Sequence, residues 1–76
     1  MVYKERKLKI QYILGKNIKK YRLFKKYSQE KLADLCDLHR TYISNIELGK
    51  KAPSLSVIEK LAEVLEIEVI KLFEVW

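Results

Sequence analysis

Apolar residues recur at helical spacing in successive stretches of this 76-residue chain, and polar punctuation separates one stretch from the next. Ile10, Ile13, Leu14, Ile18 and Tyr21 share one face of a first helix that should end near Lys26. Ser28 is suited to cap a second helix beginning at Gln29, because its hydroxyl can accept from an orphan amide of the first turn, where Glu30 also suits the helix dipole. Leu32, Ala33, Leu35 and Cys36 give that helix an apolar face, and its end should fall at Cys36 or Asp37. A third helix should run from Arg40 to just before Gly49, with Ile43 and Ile46 directed to the core. Ser54 can cap a fourth, although Ser56 with Glu59 three residues on forms a rival capping box. Leu55, Ile58, Leu61, Ala62 and Leu65 supply its core face. Ile67 should close the next turn, and a fifth helix should take Val69 to Glu74 or beyond with Leu72 and Phe73 inward. Two glycines and one proline offer few breaks, so the pattern predicts an all-α fold of five helices in one domain spanning residues 1–76.

The third helix carries the candidate chemistry. At about 100° per residue, Arg40, Thr41, Ser44, Asn45 and Leu48 cluster opposite Ile43 and Ile46. Such a polar cluster suits the edges of bases in a duplex major groove: Arg40 can donate twice to guanine, Asn45 can pair bidentately with adenine, and Thr41 and Ser44 can reach bases or phosphates. Tyr42 falls on the flank, within range of a base or the sugar-phosphate wall. The preceding turn is sharp, because Asp37 tolerates a left-handed backbone and Leu38 can drop into the core. Lys50 and Lys51 leave the third helix in a short loop that should lie over a phosphate strand.

SQEKLA, an apolar residue in the turn, TYISNIELGK, then PSL and IEKLA together resemble the helix-turn-helix family of phage Cro and cI repressors, also called Xre-like. RTYISNIE is especially similar to the controller proteins of restriction-modification systems, and the resemblance covers roughly residues 14–73. It implies a five-helix, lambda-repressor-like DNA-binding domain with residues 28–49 as the helix-turn-helix core. It also implies phosphate contacts from Gln29 and His39 beside Lys50 and Lys51, and an ion pair between Arg22 and Glu47, whose fork geometry suits a guanidinium and a carboxylate. Two positions depart from the family pattern: Asp37 stands where a glycine is usual, and His39 where Ser, Thr or Asp commonly caps the second helix of the motif.

Charge is unevenly distributed. Of a net +6, residues 1–27 hold ten Lys and Arg against Glu5, residues 28–51 balance, and residues 52–76 hold Lys60 and Lys71 against five glutamates. A basic front and an acidic back suit a protein that lays one side on a polyanion. Residues 1–9 fit either a basic arm or the first turns of a longer helix.

Once the core is assigned, Val57, Val64, Val69, Ile70, Val75 and Trp76 remain as surplus apolar residues, which predicts a homodimer interface within residues 54–76. The expected partners are double-stranded DNA and a second copy of the chain. Phage-type repressors and antitoxins of toxin-antitoxin pairs share the pattern. A protein-interaction module with weak DNA binding is the reading from another class, against which the polar third helix argues. An enzyme is not expected. His39 is the only histidine, no glycine-rich phosphate loop occurs, and the carboxylates are scattered, so neither a metal site, a cofactor site nor a small-molecule substrate is implied. The lone Cys36 at an apolar position fits a buried thiol in a reducing cytoplasm. No apolar run approaches the ~18 residues of a membrane span, and MVYKERK lacks the apolar stretch of a signal peptide.

Overall fold

A computed structural model describes residues 9–75. All of the regular structure there is helical: α1 (Ile10–Phe24), α2 (Gln29–Cys36), α3 (Arg40–Glu47), α4 (Leu55–Leu65) and a 3-10 helix, Val69–Phe73. The expected fifth α-helix is therefore a 3-10 segment, with Lys71 N–H donating to Glu68 C=O at 3.0 Å. Five residues are too few to repay the cost of nucleating an α-helix, whereas 3-10 geometry serves in short pieces.

The same stop closes every α-helix. Lys26, Asp37, Gly49 and Glu66 all have positive φ, between 58° and 75°. The residue after each donates its N–H back five positions: Tyr27 to Arg22, Leu38 to Ala33, Lys50 to Asn45 and Ile67 to Ala62, at 2.8–3.0 Å. This is the Schellman arrangement, in which the residue after the left-handed position usually packs an apolar side chain on the helix it ends. Tyr27, Leu38 and Ile67 do so, packing against the core. After α3 the equivalent residue is Lys50, which is exposed. The exit of α3 thus has the backbone of a helix stop and an exposed lysine where the other three helices place an apolar or aromatic side chain. Because Lys26 takes the left-handed position, α1 ends at Phe24 rather than at Lys26 itself.

Twelve residues form the buried core: Leu14 and Ile18 from α1, Leu32, Ala33 and Cys36 from α2, Ile43 and Ile46 from α3, Ile58, Leu61, Ala62 and Leu65 from α4, and Leu72. Burial pushes the Cys36 thiol above its ordinary value, so the neutral, structural form is favoured. Of the two capping choices for α4 the structure takes Ser54, whose Oγ accepts from Val57 N–H at 3.3 Å. Three expected core positions, Leu55, Ile10 and Leu35, are exposed. Leu55 is 83% exposed and lines an open groove with Val69 and Phe73. Ile10, the first residue of α1, is 67% exposed, and Leu35 on α2 is 40% exposed. No helix among the described residues is long and apolar enough to cross a membrane.

α1 is the scaffold on which the other elements meet, packing on α3, on α4 and on the 3-10 segment. Gly15 makes the α3 contact possible: a Cβ there would stand 2.2 Å from the Ile46 carbonyl oxygen and 2.9 Å from that of Glu47. On another side of α1, the fully buried Asn17 donates to the carbonyls of Leu72 and Glu74, both at 2.8 Å, fastening the 3-10 segment and the residues after it.

Candidate nucleic-acid interface

The candidate face begins with local capping. Ser28 Oγ accepts from Lys31 N–H at 2.9 Å and starts α2, and the left-handed Asp37 turns the chain toward α3. His39 precedes α3 as an exposed residue whose side chain makes no capping bond. Along α3, Ile43 and Ile46 are fully buried, whereas Arg40 and Thr41 are exposed and Tyr42, Ser44 and Asn45 are half-buried. Leu48, 58% exposed, lies among the polar residues on this outer side.

Behind that face runs a continuous chain of polar contacts. Arg22 Nε donates to Glu47 Oε2 at 2.6 Å, and Arg22 Nη2 donates to Glu47 Oε1 at 3.0 Å. The third arm of the guanidinium, Nη1, donates to the Tyr27 carbonyl at 2.9 Å. The two side chains retain 9% and 3% of their exposure, so the fork is nearly shielded from water. Glu47 Oε1 also accepts from Gln29 Nε2 at 3.0 Å, and Gln29 Oε1 accepts from Arg40 Nη1 at 3.4 Å. One carboxylate therefore ties α1 to the end of α3 and orients the Gln29 amide. That amide in turn faces Arg40 at the head of α3 across a long contact.

The exit of α3 is fixed as well. Gln11 Nε2 donates to the Gly49 carbonyl at 2.7 Å, and Lys51 Nζ lies 5.9 Å from the centre of the Tyr42 ring. Lys50 and Lys51 are exposed. The remaining expected site residues sit elsewhere. Val69, Ile70 and Val75 are 43%, 66% and 67% exposed on and beside the 3-10 segment. Val57 and Val64, expected at the same interface, are half-buried against the core. Trp76 lies outside the described residues, as do residues 1–8. No group of three or more His, Cys, Asp or Glu side chains is arranged to hold a metal among the described residues.

Several contacts have no counterpart in the sequence reading. Gln11 carries no local signal, since it is one polar residue near the start of a helix. The Gln29–Glu47 bond joins residues 18 apart and depends on how α2 crosses α3. Gly15 and Asn17 did leave traces, a glycine inside a helical run and an amide near an apolar stripe, and each marks a place where backbone meets backbone or a carbonyl needs a donor.

Two short helices joined through a left-handed turn, the second with a buried apolar face and a presented polar one, define a helix-turn-helix protein. The helix-turn-helix family pattern matches residues 18–72. The control protein C.BamHI of Bacillus amyloliquefaciens is 48% identical over 60 residues, which cover 78% of this chain and 74% of that one. The crystal structure of the restriction-modification controller protein C.AhdI from Aeromonas hydrophila superposes with a TM-score of 0.79 at 40% identity, over 83% of this chain and 96% of that one. The master regulator for biofilm formation SinR, solved in complex with DNA, superposes with a TM-score of 0.76 at 35% identity, over 80% and 98% of the two chains. The chain belongs to the helix-turn-helix family, and within it to the restriction-modification controllers.

Proposed function

We propose that this protein is a cytoplasmic, non-enzymatic regulator of a restriction-modification operon that acts as a homodimer on a pseudo-palindromic site in double-stranded DNA. The observation that carries the reading is the α3 face: Arg40, Thr41, Ser44 and Asn45 face outward, while Arg40 is tethered through Gln29 and Glu47 to the shielded Arg22. A donor held from behind loses less freedom when it meets a base. In this reading residues 28–49 do the recognition. α3 enters the major groove, Arg40 reads a guanine, Asn45 an adenine, and Thr41, Tyr42 and Ser44 complete the base contacts. The free amides at the start of α2, with Gln29, His39, Lys50 and Lys51, hold the phosphates. Support from relatives is that SinR was solved with DNA and that C.AhdI is a restriction-modification controller.

Selection of bound duplexes from a random pool is the primary test, and failure to enrich any sequence would overturn sequence-specific reading. On the selected site, Arg40→Ala is expected to cost about 1–3 kcal/mol and to relax discrimination at one base position. Lys50→Ala should weaken all duplexes alike and lower the salt slope by about one. Equal losses on cognate and random duplex for Arg40→Ala would remove its base-reading role.

The dimer is supported by the exposed Val69, Ile70 and Val75 at the acidic end of the chain, where Val69 lines a groove with Leu55 and Phe73. Within residues 54–76 these side chains, with Trp76, form the interface, and the half-buried Val57 and Val64 contribute from α4. A two-fold axis there puts the recognition helices about 34 Å apart, one turn of duplex. Ile70→Asp is then expected to give folded monomers that bind a half-site weakly. Sedimentation of the unmodified chain as a monomer at tens of micromolar, roughly the range of a weak interface, would overturn the dimer and the palindrome.

A further inference from the structure

The first half of α1 lies against the exit of α3 at three points. Gly15 sits under the Ile46 and Glu47 carbonyls, Gln11 donates to the Gly49 carbonyl at 2.7 Å, and Tyr12 lies beside Gly49, where an added Cβ would meet Tyr12 Cα at 3.3 Å. The outward edge of α1 next to these contacts therefore borders the loop that carries Lys50 and Lys51. Helical phase says which side chains occupy that edge. At about 100° per residue, Lys19 lies only about 40° from Gly15, Tyr12 about 60° and Lys16 about 100°. Lys20 lies about 140° away, toward the side where Asn17 holds the 3-10 segment. Tyr12 is 43% exposed, Lys19 is exposed, and the Lys16 ammonium stands 5.9 Å from the centre of the Tyr12 ring. α1 contains no carboxylate.

We propose that Tyr12, Lys16 and Lys19 form a backbone-binding strip on α1 that continues the Gly49–Lys51 loop, so that the phosphate strand gripped beyond α3 is also gripped by α1. The inference rests on the DNA-binding reading and extends it to a helix outside the helix-turn-helix core. Lysines at this edge neutralise phosphates and release counterions, which makes their contribution visible as salt dependence and blind to base sequence. The Tyr12 hydroxyl adds a neutral donor. Gln11 acts as a positioning residue, since its bond to the Gly49 carbonyl sets the loop against the strip.

The test compares two lysines of one helix. Anisotropy titrations of a fluorescent random duplex with the full chain, repeated from about 50 to 200 mM salt, give the slope for each variant. Lys19→Ala is expected to lower the slope by about one and to weaken binding about threefold at the upper end of that range. Lys20→Ala removes the same charge one residue along and should leave the slope unchanged. Tyr12→Phe should weaken binding without moving the slope. All three variants should melt with the unmodified chain, because the altered atoms are at the surface. Equal slopes for Lys19→Ala and Lys20→Ala would overturn the strip while leaving the helix-turn-helix reading intact, whether the lysines proved solvated or served an acidic protein. An unmodified chain with no salt-dependent affinity would overturn the DNA-binding reading and the strip with it.

Discussion

Arg22→Ala is expected to cost the fold about 3–5 kcal/mol, because it leaves the Glu47 carboxylate buried against α1 without its fork. Glu47 keeps only the Gln29 amide, and the Tyr27 carbonyl loses its donor. For a domain of this length each kcal/mol moves the melting temperature by roughly 4–8 °C, so a fall of more than ten degrees should be plain in a circular-dichroism melt. Lys20→Ala, an exposed control, should stay within about 0.5 kcal/mol. Replacing both partners, Arg22→Met with Glu47→Leu, should recover much of the loss, since an apolar pair avoids the unpaired charge. That double variant should still read DNA less selectively, because Gln29 would have lost the acceptor that orients it toward Arg40. An Arg22→Ala protein that melts like the unmodified chain would show that the fork contributes nothing to stability.

Gly15→Ala reverses an ordinary expectation. Alanine inside a helix is normally favoured over glycine by about 1 kcal/mol, yet here the new methyl would meet the Ile46 carbonyl oxygen at 2.2 Å. That oxygen belongs to the backbone at the end of α3, so relief requires moving one helix away from another. The expected cost is about 3 kcal/mol, at the upper end of overpacking. The displacement falls on the exit of α3, so affinity for duplex should drop along with stability. Urea unfolding decides the point, and a midpoint raised by the substitution would mean that the two helices have more room than their distance implies.

Both predictions turn on residues whose importance depends on the approach of one helix to another, and this is where sequence reading ran out. The helix-turn-helix was legible because its signals are local: a serine placed to cap, an aspartate able to take a left-handed backbone, and apolar positions whose period separates Ile43 and Ile46 from Arg40 and Asn45. Arg22 and Glu47 drew notice only through the family pattern, since two charges 25 residues apart carry no periodicity. The misplacement of Leu55 has a related cause. Phase alone puts it near the core stripe of α4, but burial also requires a neighbour packed over it, and Leu55 instead lines an open groove with Val69 and Phe73. Likewise, the apolar pattern after Glu68 was right about Leu72, which is fully buried, and uninformative about whether five residues wind as an α-helix or a 3-10 helix.

Gly15 and Asn17 stand two residues apart on α1, yet one seats α3 and the other clasps the tail that would meet a second copy. They point about 160° apart around the axis, so this single turn of helix is a gauge: it sets the offset between where the protein reads and where it would pair. With the tails joined on a two-fold axis, that offset would appear twice over as the centre-to-centre spacing of the operator half-sites. The permitted length of the operator's central spacer would then be written in one turn of α1.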